Sequence, residues 1–255
     1  MYTSEDIRKV QLRLLEMAVE VRNILEKYNI PHMITYGTLL GAVRHNGFIP
    51  WDDDFDFYII GDQYDDAIEH LRSELSANIF LEDSKSEPLY FHGWAHAKDM
   101  GSVAECVLFP QDNLYNHKGV CIDLYRAFCI KKNYDRINRL KAHLDYLHRK
   151  LTKNLLGTEE YELKIKPIVH ELAEEEKRVS MIDLSKDDDM IGFISVFNDS
   201  MLAKDIFPLK KYEFEDTYFW GPQNADSLLK SCYGDYMQLP PLEKRRPHYS
   251  SVKFM

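Results

Sequence analysis

The acidic stretch at residues 51–57, WDDDFDF, carries the clearest chemistry in the chain. If it forms a β-strand, alternate side chains share a face, so Asp54 and Asp56 point to one side while Phe55 and Phe57 pack into a core on the other. The two carboxylates would start roughly 6–7 Å apart and could converge on one hard cation, with metal–oxygen bonds of about 2.1 Å. Asp52 is in phase with this pair and adds a third ligand if the strand begins that early.

An alternative for this stretch is a solvated acidic edge strand without a metal. However, like charges on one face of a strand repel one another. The apolar run that follows, FYII at 57–60, is typical of a buried strand, where unpaired carboxylates are costly. A divalent cation, Mg²⁺ or else Mn²⁺, removes both penalties, so we predict a metal site at Asp54 and Asp56, with Asp52 beside them. Asp53 points away from the pair and is interpreted as a surface or turn carboxylate.

A Gly-Thr turn lies upstream of the acidic stretch, between a predicted strand and the start of a helix. Gly37 permits a close approach of the backbone, and Thr38 can cap the helix. The free N–H groups and the dipole at such a helix start suit a phosphate group, although helix capping alone would also explain the turn. A strand, a Gly-Thr turn and a helix, followed 16 residues after Thr38 by Asp54 of the DxD strand, form a more specific pattern than the turn by itself.

Asp123 is the one acidic residue inside the apolar run VCIDL at 120–124. A lone carboxylate in a buried strand can be structural, but here a neighbouring strand is expected to supply a third carboxylate to the DxD pair. The whole pattern resembles the nucleotidyltransferase (polymerase β-like) fold. We therefore predict an α/β chain of the α+β kind, with a mixed-sheet core and added helices.

The elements that must position these residues follow from periodicity and breakers. Apolar residues at three- and four-residue steps predict an amphipathic helix over 4–28, with Thr3 and Asp6 as a capping box. A strand is predicted at 32–36 and a helix at 62–76. Further on, we predict short strands at 78–82, 89–97, 103–109 and 119–130, helices within 134–178 and over 188–204, and a short helix near 225–232.

Composition and charge limit the class of protein. The chain has 255 residues with a net charge of −10 and a pI near 5.5, which argues against general nucleic-acid binding. An anionic substrate stays possible, because a bound cation reverses the sign of an acidic site. No apolar run approaches the roughly 20 residues that span a bilayer, and the polar N-terminus does not look like a signal peptide. We therefore expect a cytoplasmic protein.

Two blocks of sequence resemble the LicD family, which includes the fukutin-related transferases. They are ITYGTLLGAVRHNGFIPWDDDFDFYI at 34–59 and CYGDYMQLPPLEKRRPH at 232–248, and the GVCIDLY strand fits the family spacing. The resemblance implies a Mg²⁺-dependent enzyme that transfers a phospho-alcohol, phosphocholine above all, from a CDP-linked donor such as CDP-choline to a hydroxyl of a glycan. The glycan would be a cell-surface glycan or its precursor, such as lipopolysaccharide, teichoic acid or capsule, and CMP would be released.

The resemblance also implies roles for single residues. Asp54 and Asp56 become the metal carboxylates and Gly37-Thr38 the helix turn, while Asp123 becomes either a general base or a second-metal ligand. Four basic residues are candidates for substrate binding, and each has a plainer alternative. Arg44 would instead pair with a nearby aspartate, and Lys98 would be a solvated lysine. Arg246 and His248 would belong to a solvated basic cluster.

The sequence leaves the organisation and the reaction partly open. We expect a catalytic core over 1–130, and a mainly helical region with a site-completing C-terminal segment over 131–255. One alternative reaction is nucleotidyl transfer with release of pyrophosphate, and another reading is a catalytically silent glycan- or nucleotide-binding module. If the acceptor is linked to a lipid, contact with the inner face of the membrane would be peripheral, through the Lys/Arg residues at 244–246.

We predict that Asp54→Asn and Asp56→Asn each abolish turnover without unfolding the protein. Each change removes one anionic ligand from a site built around a divalent cation, and the rate should fall by more than about a hundredfold, roughly 2.7 kcal/mol. Steady-state rates at limiting Mg²⁺, with circular dichroism as the check on folding, measure this. Near-normal activity of either variant would contradict the metal assignment.

Overall fold

The structure is a computed structural model that describes residues 2–90, 92–129, 135–153, 155–179, 190–193 and 200–255. In chain order its helices are α1 (Ser4–Lys27), α2 (Tyr36–His45), α3 (Tyr64–Glu74), α4 (Asp135–Thr152), α5 (Thr158–Val179), α6 (Ala203–Ile206) and α7 (Ala225–Tyr233). Its strands are β1 (His32–Ile34), β2 (Asp56–Ile60), β3 (Ile79–Glu82), β4 (Ala95–Asp99), β5 (Ser102–Cys106), β6 (Cys121–Cys129), β7 (Met190–Phe193), β8 (Ser200–Leu202), β9 (Lys210–Phe214), β10 (Thr217–Gly221) and β11 (Tyr249–Phe254).

A mixed sheet forms the centre of the molecule. Its strands run in the order β1-β2-β6-β4-β3, and β7 adds to β6 and carries β8. The pair β2–β6 is parallel, whereas the other pairs in the described part of this sheet are antiparallel. Because parallel strands start at the same edge, the first residue of β2, Asp56, lies directly opposite Asp123 of β6. The predicted α+β class with a mixed sheet is confirmed.

The helix α1 covers the sheet with a buried apolar stripe. Its N-terminus has the predicted capping box, in which Thr3 and Asp6 satisfy each other's backbone N–H groups. Val10, Leu14 and Met17 are fully buried along one side of the helix. A separate, smaller apolar cluster forms between the antiparallel helices α4 and α5. The predicted division at 130/131 stays a prediction. Two strands from the second region, β7 and β8, join the central sheet.

Phe55 and Phe57, at the start of β2, lie in a cluster of phenylalanine rings within the core. The ring of Phe55 contacts Phe48, Phe214 and Phe219, with ring centroids 5.0–5.9 Å apart. Phe214 and Phe219 belong to the hairpin β9–β10, so a distant part of the chain packs against the strand that carries the acidic residues. The predicted inward face of Phe55 and Phe57 is confirmed, since both are fully buried.

The structure differs from the predicted secondary structure in the element type at 188–204 and in the first residue of the acidic strand. The interval 188–204 was predicted as a helix, but its described residues form β7, β8 and the start of α6, while 188–189 and 194–199 lie outside the described residues. The reason is tertiary, because β7 pairs with the end of β6 and this pairing outweighs the local helix preference. The strand with the acidic residues begins at Asp56, so Asp52 and Asp54 lie in the loop before it.

Membrane-spanning helices were not expected from the sequence. Within the part of the chain that the structure describes, every helix is too short or too polar to cross a bilayer.

We predict that Phe55→Ala destabilises the fold by about 3–5 kcal/mol, because it removes a fully buried ring from a close-packed aromatic cluster. Urea denaturation followed by fluorescence measures the loss. Leu163→Ala on the exposed side of α5 is the matched control, since Leu163 is 73% exposed, and it should change stability by less than about 0.5 kcal/mol. Equal losses in the two variants would contradict this account of the core.

Candidate active site

The first turn of α2 is joined to the start of β2 by a side-chain hydrogen bond. The Asp56 N–H donates to Thr38 Oγ1 at 2.9 Å, and Thr38 is buried. The predicted capping role of Thr38 is wrong, because α2 begins two residues earlier, at Tyr36, with Thr35 as its N-cap residue. Thr38 instead holds β2 against the first turn of α2, which places the acidic residues beside the helix start.

Gly37 allows the carboxylates to approach the helix. A Cβ atom at this position would lie 2.6 Å from Asp52 Oδ2 and 3.9 Å from Asp54 Oδ1. Any side chain would therefore displace Asp52. The predicted close approach at Gly37 is present, and the groups that approach it are the aspartates themselves.

Asp52, Asp54 and Asp56 form a crowded acidic cluster although they do not share one regular strand. Burial, and then repulsion from Asp54, raises the pKa of Asp52 and of Asp56 well above the ordinary aspartate value. Burial also raises the pKa of Asp54. Such shifts show that the ionised forms lack enough counter-charge from the protein.

This cluster fits a hard divalent cation. Asp54 Oδ1 is buried and accepts no hydrogen bond from any described residue. All three aspartates offer carboxylate oxygens, the ligands that Mg²⁺ prefers. A cation would satisfy the orphaned oxygen and relieve the repulsion that raises these pKa values. Asp54, Asp56 and Asp52 are the residues that would hold such a cation, and the metal site stays a prediction.

Asp53 has a different position from the one predicted. It is fully buried, and its carboxylate accepts hydrogen bonds from the Tyr2 hydroxyl at 2.9 Å and from the His248 N–H at 2.6 Å. It also accepts a longer bond from the Tyr249 N–H, at 3.4 Å. The interpretation as a surface carboxylate is wrong, because this residue anchors both ends of the chain beside the acidic cluster.

His248 is brought into the cluster by this anchor. Its Nε2 lies 3.1 Å from Asp54 Oδ2, and its Nδ1 lies 3.7 Å from Asp52 Oδ1. Burial alone would lower the pKa of His248, but the three aspartates beside it raise that pKa well above the ordinary histidine value. The ring is therefore an imidazolium that neutralises part of the acidic charge.

The other basic candidates are placed differently. Arg44 lies on α2 near Asp52 and Arg245, and its guanidinium donates to the Tyr236 carbonyl of the C-terminal segment. Arg246 is exposed and donates to the Glu243 carbonyl, so it forms no contact with the aspartates.

Lys98 is not solvated, so that alternative is wrong, whereas its contact with a substrate phosphate stays a prediction. It is buried in β4, where its ammonium lies 2.6 Å from Glu82 and donates to the His117 carbonyl.

Asp123 lies beside Asp56 and is held by two donors. Trp94 Nε1 donates to Asp123 Oδ1 at 2.7 Å, and His96 Nε2 lies 2.8 Å from the same oxygen. The carboxylate oxygen Oδ2 is left for the site. Trp94 and His96 were not predicted as site residues. The alternation in WAHAKD at 94–99 was the available signal, because it places positions 94, 96 and 98 on one face.

Together these features define a class of site. Three carboxylates crowd the N-terminus of a helix, a fourth faces them from the neighbouring parallel strand, and a histidine from the chain's end closes the group. Anionic oxygens around a cation position, next to free helix N–H groups, are suited to binding a phosphate-bearing ligand through a metal.

Comparison with known proteins agrees with this class. The family described as LicD/FKTN/FKRP, nucleotidyltransferase domain, matches residues 29–144, which include α2, β2 and β6. The lipopolysaccharide cholinephosphotransferase LicD of Haemophilus influenzae is 25% identical over 95% of this chain and 96% of its own length. The resemblance of this chain to the LicD family is therefore confirmed.

Shorter and closer matches occur in two uncharacterized rickettsial proteins. The protein of Rickettsia prowazekii is 46% identical over 26% of this chain and 24% of its own length. The protein of Rickettsia typhi is 47% identical over 24% of this chain and 18% of its own length.

We predict that Gly37→Ala weakens divalent-cation binding more than it weakens the fold. Alanine gains roughly 1 kcal/mol over glycine inside a helix, which offsets part of the clash, whereas the new Cβ displaces Asp52. Titration of Mn²⁺ followed by electron paramagnetic resonance measures the affinity. Gly157→Ala is the matched control, because its Cβ would meet no atom within 4 Å, and equal affinities in the two variants would contradict the prediction.

A second prediction concerns pH and His96. Burial alone would lower the pKa of His96, but Asp123 and Glu82 raise it to about 9. The unfolded value is about 6.5, so this stabilisation is complete below pH 6.5 and is lost as the pH rises through about 9, by at most about 1.4 kcal/mol per pH unit. The difference in unfolding free energy between wild type and His96→Gln should shrink across that window. A constant difference from pH 6 to 9.5 would contradict the prediction.

Proposed function

We propose that this chain is a Mg²⁺-dependent transferase that moves phosphocholine, or another phospho-alcohol, from a CDP-linked donor to a hydroxyl of a cell-surface glycan or its precursor. CMP is the second product. The observation that carries the proposal is the acidic cluster of Asp52, Asp54 and Asp56 at the start of α2, with Asp123 opposite. The near full-length similarity to a lipopolysaccharide cholinephosphotransferase supports phosphocholine as the transferred group and a glycan as the acceptor class.

In this reaction the acceptor oxygen forms a bond to the phosphorus that carries the alcohol. The bond between that phosphorus and the bridging oxygen breaks, and CMP leaves with the electron pair. The proton of the acceptor hydroxyl is released to solvent. When bound, Mg²⁺ (or Mn²⁺) supplies positive charge to the donor pyrophosphate. Asp54, Asp56 and Asp52 hold that charge in place. The free N–H groups at the start of α2 and the guanidinium of Arg44 bind donor phosphate oxygens.

His248 has a positioning and electrostatic part in this proposal. Its imidazolium lies between Asp54 and Asp52, so it balances the acidic cluster before the donor and the cation arrive. The backbone bond from His248 to Asp53 fixes the C-terminal segment over the site. This segment is held from the other side by Arg245, whose guanidinium lies 4.6 Å from the centre of the Trp51 ring.

Asp123 serves the reaction as a fixed carboxylate. Burial alone would raise its pKa, but the neighbouring His96 and the Trp94 hydrogen bond hold that pKa below the ordinary aspartate value. A general base must gain a proton as the hydroxyl attacks, so an environment that stabilises the ionised form favours the role of metal ligand.

The remaining expectations belong to the same proposal. The transferase works in the cytoplasm, where CDP-linked donors are available, and binds no nucleic acid. A lipid-linked acceptor would bring it to the inner face of the membrane through Lys244, Arg245 and Arg246, although Arg245 is already stacked on Trp51.

The test is product analysis with a panel of CDP-alcohols, glycan acceptors and Mg²⁺. Release of CMP that needs both the metal and an acceptor supports the proposal, and the most rapidly used donor identifies the alcohol. Pyrophosphate release from a nucleoside triphosphate, with no CMP from any CDP-alcohol, would establish nucleotidyl transfer instead. Binding of donor and glycan with no product would establish a silent binding module. Asp54→Asn is the inactive control.

We predict that Asp123→Asn lowers the rate by roughly 10²–10⁴-fold and weakens donor binding in the presence of Mg²⁺. Asparagine keeps the size of the side chain but removes the anionic charge that a metal ligand needs. Calorimetric titration of CDP-choline with Mg²⁺ separates the two roles, because loss of a base alone would leave donor affinity near the wild-type value. Full turnover and full affinity would leave Asp123 as a structural carboxylate.

A further inference from the structure

Four ionisable residues form a row across the central sheet. Glu82 of β3 lies directly opposite His96 of β4, His96 lies opposite Asp123 of β6, and Asp123 lies opposite Asp56 of β2. Side chains that lie directly opposite one another on neighbouring strands share a face of the sheet. The row therefore leads from an outer strand of the sheet path into the acidic cluster.

The contacts along this row are short at its centre. His96 Nε2 lies 2.8 Å from Asp123 Oδ1, and His96 Nδ1 lies 3.5 Å from Glu82 Oε2. Lys98 lies 2.6 Å from the same Glu82 oxygen. Glu82, His96 and Lys98 are all at least 97% buried, so water does not compete for these contacts. The imidazole thus lies between the site carboxylate and Glu82, and its 3.5 Å contact with Glu82 is an ion-pair contact rather than a hydrogen bond.

A short carboxylate side chain can rotate unless its oxygens are held. At Asp123, Trp94 Nε1 donates to Oδ1, and His96 Nε2 lies 2.8 Å from the same oxygen. Trp94 Nε1 also lies 3.1 Å from His96 Nε2, so the three polar atoms form one compact group. This arrangement fixes the direction of Oδ2. Removal of a residue that contacts and orients a metal ligand commonly lowers metal affinity or activity by 10–100-fold.

We propose that His96 is a positioning residue, which Glu82 orients at Nδ1 and which, through Nε2, fixes the Asp123 carboxylate for the cation. The inference rests on the proposed function to the extent that it takes Asp123 to face a bound divalent cation.

Two substitutions at His96 separate positioning from a merely structural role. The amide nitrogen of glutamine can occupy the place of Nε2, so His96→Gln keeps a donor to Asp123 and loses the link to Glu82. The amide nitrogen of asparagine corresponds to Nδ1, so His96→Asn keeps the link to Glu82 and loses the donor to Asp123. Both variants are neutral, and both leave a cavity in the same place.

The readout is Mn²⁺ affinity of the full chain, measured by electron paramagnetic resonance without any donor. We expect His96→Asn to weaken binding by about 10–100-fold and His96→Gln by less than about 3-fold. His148→Asn, at a buried histidine of α4 that contacts the Tyr161 hydroxyl, is the control for loss of a buried imidazole and should leave Mn²⁺ affinity unchanged. Melting temperatures of all variants show whether each is folded.

The outcomes are distinguishable from those of the proposed function. Equal weakening by His96→Asn and His96→Gln, or no weakening by His96→Asn, would overturn the positioning role, as would a wild type that binds no Mn²⁺. A wild type that binds Mn²⁺ but releases no CMP would contradict the proposed reaction alone. In that case the Mn²⁺ affinities would still decide the role of His96.

Discussion

Repulsion among buried carboxylates is the constraint on which the rest of this structure depends. Asp52, Asp54 and Asp56 converge with Asp123 on one small volume, and burial there raises the cost of every negative charge. The chain offsets part of this cost with two histidines, His96 on one side and His248 on the other. The remaining deficit, shown by the raised pKa values and by the orphaned oxygen of Asp54, is what a bound divalent cation would offset.

The same constraint explains why both ends of the chain meet at the site. Asp53 is anchored beside the cluster, because Tyr2, His248 and Tyr249 donate to its carboxylate. This anchor fixes the C-terminal segment, which in turn delivers the imidazolium of His248. The aromatic packing of Phe55 against β9–β10 supports the opposite face of the same stretch. Alternate residues of one segment thus build a core and a charged site.

The side of the site that would bind a phosphate group depends on the first turn of α2. Gly37 lets the carboxylates approach α2, and Thr38 locks β2 to its first turn. A phosphate group between the helix N–H groups and a cation on the aspartates would meet positive charge from two sides. That geometry is compatible with transfer of a phospho-alcohol, in which positioning and charge neutralisation supply most of the catalysis.

The sequence by itself determined the acidic pair, the Gly-Thr turn, the third carboxylate at Asp123 and the helix α1, because each depends on local spacing, polarity or capping. It did not determine the role of Asp53, the buried ion pair of Lys98, the donors Trp94 and His96, or the strands β7 and β8. Those depend on which segments become neighbours in the sheet. Alternation says which side chains share a face of one strand, but only tertiary register decides which residue lies opposite, and hence which charges meet.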